Sequence, residues 1–312
     1  MTPFAFVFPG QGSQSVGMLD AWGDHPAVRQ TLEEASAALG EDLGQLIHAG
    51  PKETLELTTN TQPVMLAAAI ACYRAWRAEG GAEPAAVAGH SLGEYSALVA
   101  AGALTLADAL PLVRFRAQAM QQAVPVGAGA MAAILGLDAA VVNDVCAAVA
   151  AESGEVVAPA NFNDPKQTVI AGSKLGVDRA CERLKAKGAK RALLLAVSAP
   201  FHSALMKPAA EALREHLVGV AIAAPRIPVV NNIDVLVQTE PDAIREALYR
   251  QAFGPVRWVE VTQALRQRGL LHVLECGPGK VLAGLVKRVD ADIQTTTVLD
   301  PASLKTAQEM LA

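Results

Sequence analysis

Short apolar runs of strand length alternate with long alanine-rich or amphipathic segments along most of this chain. This alternation is typical of a mostly parallel sheet covered by helices, because a parallel strand pair needs a long crossover, usually a helix. We therefore predict an α/β fold. The predicted strands of its parallel sheet are Phe4–Phe8, Ala86–Ala88, Pro228–Val230, Leu270–Glu275 and Thr295–Leu299. The predicted helices are Gln62–Glu79, Leu92–Ala101, Thr105–Gln122, Ser203–Leu217, two helices within Asp242–Arg268, and Gly279–Val289.

The middle of the chain has a different order of elements. Strand, helix, strand, strand, helix and strand follow one another at Met131–Leu135, Ala139–Ala151, Val156–Asn161, Thr168–Ala171, Leu175–Ala186 and Arg191–Val197. A βαββαβ order within about 70 residues is the ferredoxin-like arrangement. Glycine, serine and proline residues flank the segment, as expected where a small domain is inserted into a larger one. We predict a larger subdomain formed by residues 1–125 and 199–312, and an inserted ferredoxin-like subdomain formed by residues 126–198.

Composition excludes several classes of protein. The chain of 312 residues is 52% hydrophobic and 18% charged, which is too apolar for a disordered chain. Its net charge is −5, and it has neither a basic stripe nor many aromatic residues, so we expect no nucleic-acid partner. The amino terminus lacks a basic leader and no apolar stretch is long enough to cross a membrane. The four cysteines form no CxxC pair, and we expect a cytoplasmic protein with no metal site and no membrane partner.

The sequence Gly89-His90-Ser91-Leu92-Gly93 lies between a predicted strand and a predicted helix. A G-x-S-x-G turn in this context is typical of a nucleophile elbow, in which a strained turn exposes the serine oxygen above the sheet. The amino terminus of the following helix adds backbone N–H groups that suit an oxyanion. We therefore predict that Ser91 is a nucleophile.

A serine nucleophile needs a base, and His202 is the candidate among the six histidines. It lies in a turn with Pro200, at the predicted junction of the two subdomains. A lone histidine often has a structural role, so the residues alone leave its function open. A serine hydrolase would also place an acid between the serine and the histidine in the chain. The candidate acids in that interval lie in or near the predicted insert, and none follows a strand of the main sheet; they are Asp144, Glu152, Glu155, Asp164, Asp178 and Glu182.

Two glycine-containing loops and two arginines are candidate ligand-binding features, but they do not identify the ligand. The glycine-containing loops Pro9–Gln14 and Gly277–Lys280 each follow a predicted strand, but neither has the spacing of a nucleotide-phosphate loop. Arg114 and Arg116 lie two positions apart on one predicted helix and therefore face different sides. A buried arginine would suit a carboxylate ligand, because its planar fork can donate two hydrogen bonds. Periodicity does not decide which arginine is buried.

Several motifs in order along the whole chain resemble those of the malonyl-CoA:acyl carrier protein transacylases of bacterial fatty acid synthesis. The acyltransferase domains of polyketide synthases are a looser resemblance. The motifs are FVFPGQGSQSVGM from Phe6, TQP from Thr61, GHSLGEYSAL from Gly89, RFRAQAMQQAVP from Arg114, ANFN from Ala160, FHSALMKPAA from Phe201, VVNN from Val229 and ECGPGKVLAGL from Glu275. The resemblance implies an α/β-hydrolase-like larger subdomain with a ferredoxin-like insert.

The resemblance also implies roles for individual residues. His202 would be the base for Ser91, and Arg116 would bind the malonyl carboxylate. The backbone N–H groups of Gln11 and Leu92 would form the oxyanion hole. Two further residues are implied: Gln251 would help to orient His202 in place of an acid, and Phe201 would narrow the pocket against an α-methyl branch.

The activity implied is transfer of a malonyl group from malonyl-CoA to the phosphopantetheine thiol of acyl carrier protein, through a malonyl-serine. No cofactor is expected, and the start and end of the chain suggest a free-standing protein. We expect it to be a monomer. Three alternatives stay open: a malonyltransferase subunit of a polyketide or malonate decarboxylase system, a serine hydrolase, and a non-catalytic subunit that docks the carrier protein. Because carrier proteins of this type are acidic, we expect a basic docking surface near Arg183–Arg191 or Lys207, although these residues fit a solvated helix face equally well.

Overall fold

The computed structural model describes residues 2–312, which form two separate sheets. The strands are β1 Ala5–Phe8, β2 Ala86–Gly89, β3 Gly129–Leu135, β4 Val157–Asp164, β5 Gln167–Ser173, β6 Arg191–Leu194, β7 Val229–Val230, β8 His272–Cys276 and β9 Gln294–Val298. The larger sheet has the order β7-β2-β1-β8-β9, and all of its strand pairs are parallel. The predicted α/β class with a parallel sheet is confirmed.

Helices cover both faces of this sheet. The helices of the described residues are α1 Pro26–Leu39, α2 Leu43–Ala49, α3 Lys52–Leu55, α4 Thr58–Ala78, α5 Gly93–Ala100, α6 Leu106–Gln122, α7 Ala139–Ser153, α8 Lys174–Ala186, α9 Lys207–Leu217, α10 Pro241–Phe253, α11 Trp258–Gln267, α12 Val281–Val289 and α13 Pro301–Leu311. Of these, α7 and α8 belong to the smaller sheet described next. Every residue of β1 is buried, as expected for a central parallel strand. On one face Phe6 packs edge-on against Trp76 of α4, with ring centroids 5.4 Å apart. On the other face Val7 belongs to a cluster with Trp258 of α11.

The smaller sheet has the order β4-β5-β3-β6, and its strand pairs are antiparallel. Together with α7 and α8 it has the βαββαβ order that the sequence predicts. The two helices pack on one face of this sheet. The other face carries Met131 and Ala133, which cluster with Phe201 from the loop before α9.

The two sheets are joined by backbone hydrogen bonds. Val256, between α10 and α11, donates to the carbonyl of Ala160 at 2.9 Å and accepts from the N–H of Phe162 at 2.9 Å. Arg288 of α12 forms an ion pair with the buried Asp164 of β4, with 2.7 Å between nitrogen and oxygen. The small sheet is therefore attached to the segment between α10 and α11 and to α12 of the larger subdomain. The subdomain bounds at residues 126 and 198 stay a prediction.

Some elements differ from the prediction. Helices α1, α2, α3 and α13 were not predicted, and part of the helix predicted from Ser203 is a 3-10 turn at Ala204–Met206. The strand predicted at Arg191–Val197 ends at Leu194, because the ladder with β3 stops at the pair Ala132–Leu194. The chain beyond it, at Leu195–Val197, instead borders the cavity described below.

Candidate active site

Ser91 lies in the sharp turn between β2 and α5. Its φ of 53° is in the left-handed region, which is strained for a residue with a side chain. The glycines on either side permit the turn: a Cβ on Gly93 would lie 2.0 Å from the carbonyl oxygen of Phe8, and one on Gly89 would lie 1.9 Å from the backbone of Gly93. The local geometry is therefore that of the nucleophile elbow that the G-x-S-x-G pattern predicts.

His202 faces this serine from the loop before α9. Its Nε2 is 2.6 Å from the Ser91 Oγ. Its Nδ1 donates to the backbone carbonyls of Gln251, at 2.9 Å, and Gly254, at 3.1 Å. Because Nδ1 carries the proton, Nε2 is the free lone pair and accepts from the serine hydroxyl. Two carbonyl dipoles thus orient the imidazole where a hydrolase of the Ser-His-Asp type uses a carboxylate.

The surroundings of His202 favour its neutral form. Burial is the main cause, and the positive charge of Arg116 adds to it, so that the pKa of His202 falls from 6.5 to about 3. A neutral imidazole at neutral pH is the form that can take a proton from Ser91.

Arg116 is the buried arginine of the two candidates, with 2% of its surface exposed. Its Nη1 donates to the side-chain oxygen of Gln62 at 2.7 Å, and its Nη2 donates to the Ser91 Oγ at 3.3 Å. Among residues 2–312 no carboxylate forms a salt bridge with it, and burial lowers its pKa. Arg114, by contrast, forms an ion pair with Glu41 at 2.6 Å. Arg116 is therefore a buried cation held next to the nucleophile, and no carboxylate of the described chain contacts it directly.

Two backbone N–H groups border the same space. Those of Gln11, in the loop after β1, and Leu92, at the start of α5, donate to no acceptor within residues 2–312. Both residues line the cavity above Ser91. Two free backbone N–H donors beside a nucleophile are the arrangement expected of an oxyanion hole.

The cavity has a volume of about 410 Å³ and lies between the two sheets. Its walls come from both segments of the fold and are Gln11, Gly12, Gln14, Glu56, Gln62, His90, Ser91, Leu92, Arg116, Met131, Asn161, Leu195, Ala196, Val197, Phe201 and His202. A larger cleft of about 860 Å³ lies against α1 and α2, but none of the predicted site residues lines it.

Three residues of the site were not found from the sequence. Gln62 accepts from Arg116, Asn232 accepts from the Ser91 N–H at 2.7 Å, and Glu94 is buried behind the elbow. All three fall within motifs quoted above, but nothing in their spacing shows which side chain they face. Gln251 does contact His202, but through its backbone carbonyl; its side chain accepts from Arg116 at 3.2 Å instead. His90 points away from Ser91 and donates to Asn163 at 2.9 Å.

Comparison with known proteins agrees with this geometry. Residues 5–303 match the family described as the acyl transferase domain. The chain belongs to this family. It is 52% identical over 311 residues to the malonyl CoA-acyl carrier protein transacylase of Escherichia coli K12, which covers 99% of this chain and 100% of the relative.

Solved structures of family members have the same fold. The acyl-carrier-protein S-malonyltransferase of Burkholderia pseudomallei 1710b is 65% identical, with a TM-score of 0.97 and coverage of 99% of this chain and 100% of that one. A malonyl-transacylase solved in complex with a type II polyketide synthase acyl carrier protein is 50% identical, with a TM-score of 0.97 and the same coverage. The predicted family and its two-subdomain fold are confirmed.

The described residues contain neither a cluster of metal ligands nor a membrane-length apolar helix. No group of three or more His, Cys, Asp or Glu side chains in residues 2–312 could hold a metal ion. No helix in this range combines the length and the apolar character that a membrane span requires. The absence of a cofactor, the cytoplasmic location and the monomeric state stay predictions.

Proposed function

We propose that this chain transfers the malonyl group of malonyl-CoA to the phosphopantetheine thiol of acyl carrier protein in fatty acid biosynthesis. The transfer proceeds through a malonyl-serine at Ser91, with His202 as the base. The names of the relatives support the donor, the acceptor and the reaction type. The site residues and their roles are supported by the distances given above.

The observation that carries this proposal is the position of Arg116. A guanidinium buried without a salt bridge is costly unless a ligand supplies the anion. Its Nη2 lies 3.3 Å from the nucleophilic oxygen, so an acyl group attached to Ser91 can reach it with a carboxylate a few bonds away. A malonyl group has a carboxylate one carbon from its thioester carbonyl, which fits this distance. An acyl group without a free carboxylate would leave Arg116 without an ion-pair partner.

The first half-reaction forms the acyl-enzyme. His202 Nε2 takes the proton of the Ser91 hydroxyl while Oγ attacks the thioester carbonyl of malonyl-CoA. The oxyanion accepts from the backbone N–H groups of Gln11 and Leu92. When the C–S bond breaks, the coenzyme A thiolate receives the proton from His202.

The second half-reaction runs the same steps in reverse. The phosphopantetheine thiol of the carrier protein gives its proton to His202 and attacks the malonyl-serine ester. The C–O bond to Ser91 breaks, and Oγ recovers the proton. One thioester replaces another, so the exchange is nearly balanced in free energy and consumes no other reactant.

The serine hydrolase alternative finds less support in this geometry. The His202 Nδ1 proton is held by two backbone carbonyls, and Glu94, the buried acid nearest in sequence to Ser91, hydrogen-bonds to Gln251 and Asn232 instead. Those contacts would still permit ester hydrolysis, so the distinction has to be made by experiment. The polyketide context stays open as well, because one structural neighbour was solved with a polyketide synthase carrier protein.

The decisive experiment is intact-protein mass spectrometry after mixing with malonyl-CoA alone. We expect the wild type to gain one malonyl group and Ser91→Ala to gain none. Addition of acyl carrier protein then removes the label and transfers it to the carrier. Arg114→Ala is the matched control for Arg116→Ala: only the second should abolish labelling by malonyl-CoA.

Other outcomes contradict the proposal in different ways. If malonyl-CoA is consumed well beyond one equivalent per protein while no carrier is present, the chain is a hydrolase. If the label forms equally well in Arg116→Ala, the assignment of the carboxylate partner is wrong. If no malonyl-CoA is consumed and no label forms, the assignment of the acyl donor is wrong.

A further inference from the structure

Glu94 is a buried acid on the far side of the nucleophile from the cavity. It lies in the first turn of α5, three residues after Ser91, and only 2% of its surface is exposed. It contacts neither the Ser91 hydroxyl nor the His202 ring among the hydrogen bonds of residues 2–312. The mechanism above therefore gives it no role. Burial of a carboxyl group at this depth is costly, and its hydrogen bonds indicate what it does.

One carboxylate oxygen joins two separate parts of the site. Glu94 Oε2 accepts from the side-chain amide of Gln251 at 3.0 Å and from the backbone N–H of Asn232 at 2.8 Å. The first donor belongs to α10 and the second follows β7. An ionised carboxylate is the acceptor best suited to two N–H donors, because each bond is charge-assisted.

The Gln251 branch leads to Arg116 and His202. The side-chain amide of Gln251 also donates to the Ser91 carbonyl at 3.0 Å, and its side-chain oxygen accepts from Arg116 at 3.2 Å. The Gln251 backbone carbonyl accepts from His202 at 2.9 Å. The nitrogen and the oxygen of a side-chain amide lie on opposite sides of one rigid group. When Glu94 fixes the nitrogen of Gln251, it therefore also directs the Gln251 oxygen towards Arg116.

The Asn232 branch leads to the elbow. The Asn232 side-chain oxygen accepts from the Ser91 N–H at 2.7 Å, and its side-chain nitrogen donates to the Gly89 carbonyl at 2.7 Å. These bonds span the strained turn in which Ser91 has a φ of 53°. Strained backbone persists only where surrounding contacts hold it, and Asn232 supplies two of them.

We propose that Glu94 is a positioning residue that orients Gln251 and Asn232 together, and through them Arg116 and the Ser91 turn. The proposal rests on the function proposed above, since positioning matters for transfer of a carboxylated acyl group. Burial raises the pKa of Glu94 to about 7, and the donors from Gln251 and Asn232, with the charge of Arg116, oppose that rise. The carboxylate and the guanidinium thus stabilise each other's charged forms across Gln251.

The test compares the rates at which Ser91 is acylated by saturating malonyl-CoA, followed by quenched intact-mass measurement. We expect Glu94→Ala to slow acylation about 100-fold, the scale of a small misplacement of reacting groups. Glu94→Gln should stay within about tenfold of the wild type, because its amide oxygen can accept from the same two donors with weaker, neutral bonds. Glu94→Asp keeps the charge but is one methylene shorter, so we expect it to be slower than Glu94→Gln.

Dependence on Gln251 is tested with a double-mutant cycle. If Glu94 acts through Gln251, the loss in Glu94→Ala/Gln251→Ala is smaller than the product of the two single losses. A product of independent losses would overturn that branch of the proposal. Glu94→Ala should also reduce the preference for malonyl-CoA over acetyl-CoA, which a loss of stability alone would leave unchanged.

Glu275→Ala is the matched control, since Glu275 is a buried carboxyl that accepts a backbone N–H bond from Ala283 at 2.8 Å and does not line the cavity. We expect it to lower the melting temperature and leave acylation within about twofold. Equal slowing in Glu275→Ala and Glu94→Ala, measured on folded protein, would overturn the proposal. So would an unchanged rate in Glu94→Ala. If Glu94→Ala does not fold, the order of Glu94→Gln and Glu94→Asp decides.

A second probe distinguishes a wrong substrate assignment from a wrong role for Glu94. A fluorophosphonate phosphonylates an activated serine and needs no Arg116 contact. If malonyl-CoA does not label the wild type but the fluorophosphonate does, the proposed function is wrong, and slower phosphonylation of Glu94→Ala still supports positioning of the elbow. If neither reagent labels the wild type, both proposals are overturned.

Discussion

At the scale of single residues, the base is held by the backbone and kept neutral by its surroundings. His202 donates to two carbonyl oxygens, and both burial and Arg116 lower its pKa to about 3. A carbonyl dipole orients the imidazole without adding the negative charge that raises a histidine pKa. The arrangement therefore keeps the base ready at neutral pH.

The pH dependence of the free enzyme follows from this. Because His202 takes up its proton only far below 6.5, we expect kcat/KM for malonyl-CoA to fall by no more than about tenfold as the pH is lowered from 8 to about 5, the loss expected from protonation of Glu94, whose pKa is about 7. The measurement is a pH profile of acylation under conditions in which the protein stays folded. In Glu94→Gln, which removes the titration of Glu94, kcat/KM should keep its value over this range. An acid limb centred near pH 6.5 in that variant would show that His202 is not desolvated in solution.

Arg116 gives a second prediction at this scale. Arg116→Lys keeps a positive charge but loses the planar fork that donates to Gln62 and Ser91. We expect kcat/KM for malonyl-CoA to fall about 10- to 100-fold, the value of one or two charge-assisted hydrogen bonds. Arg114→Lys, which alters the arginine paired with Glu41, should keep the wild-type rate. An equal loss of kcat/KM in Arg116→Lys and Arg114→Lys would show that Arg116 does not bind the malonyl carboxylate.

At the scale of elements, the strand–turn–helix unit around Ser91 depends on close backbone packing. Gly93 begins α5 where the carbonyl oxygen of Phe8 leaves no room for a side chain, since a Cβ would lie 2.0 Å away. We expect Gly93→Ala to lower the free energy of unfolding by about 2 kcal/mol or more, because the clash is with backbone of the central strand. Urea denaturation measures the difference.

Gly44→Ala is the control for that substitution. Gly44 lies in the first turn of α2, and a Cβ there would meet only the Asp42 carboxylate, at 3.4 Å. Alanine favours the helix over glycine, so this variant should be as stable as the wild type or slightly more stable. A Gly93→Ala variant that is equally stable would show that β1 and α5 can separate without cost.

The elements that could be predicted from the sequence are those in which buried apolar residues form a clear local pattern. β1 is buried at every position, and β8 at all but His272, because helices cover both faces of their sheet. β1 is therefore a continuous apolar run, and β8 is apolar apart from His272 and Glu275. The helices that escaped prediction, α1 to α3 and α13, contain many exposed polar positions and lie at the surface. Their positions are set by tertiary packing on α4 and β9, which a local pattern does not record.

The site was predictable where one short segment contains its chemistry. The G-x-S-x-G turn needs only neighbouring residues, and the structure gives Ser91 the strained backbone that the pattern implies. Glu94, Gln62 and Asn232 act through contacts between elements distant in sequence; Asn232 meets Ser91 across 141 positions. Periodicity left Arg114 and Arg116 open for the same reason, because the choice depends on which face of α6 meets the cavity.

At the scale of the whole molecule, the cavity exists because two sheets with separate cores meet beside the elbow. The parallel sheet supplies Ser91 and the antiparallel sheet supplies the opposite wall, including Met131 and Asn161. Burial in the folded molecule shifts the pKa values of Glu94, His202 and Glu275 away from their values in water. Their pKa shifts therefore link catalysis to the pH dependence of the global stability.

Glu275 allows that linkage to be measured away from the cavity. Its carboxylate accepts from the first turn of α12, and burial raises its pKa from 4.5 to about 7. The folded protein therefore binds a proton that the unfolded chain has already released between these values, so stability is lost as the pH rises from 4.5 through 7. A shift of this size corresponds to about 3 kcal/mol at most.

Glu275→Gln removes the titration and keeps an oxygen that can accept from Ala283. Below about pH 4.5 we expect the variant to be no more stable than the wild type, and above about pH 7 to have gained relative to it by up to about 3 kcal/mol. Urea unfolding at a series of pH values gives the difference directly. His202 changes stability in the opposite direction, since its lowered pKa makes the fold weaker as the pH falls from 6.5 towards 3. The contribution of His202 is the same in the wild type and in Glu275→Gln, so it cancels when the two are compared. If the difference in their free energies of unfolding does not change with pH, the Glu275 carboxyl is already ionised in the folded state.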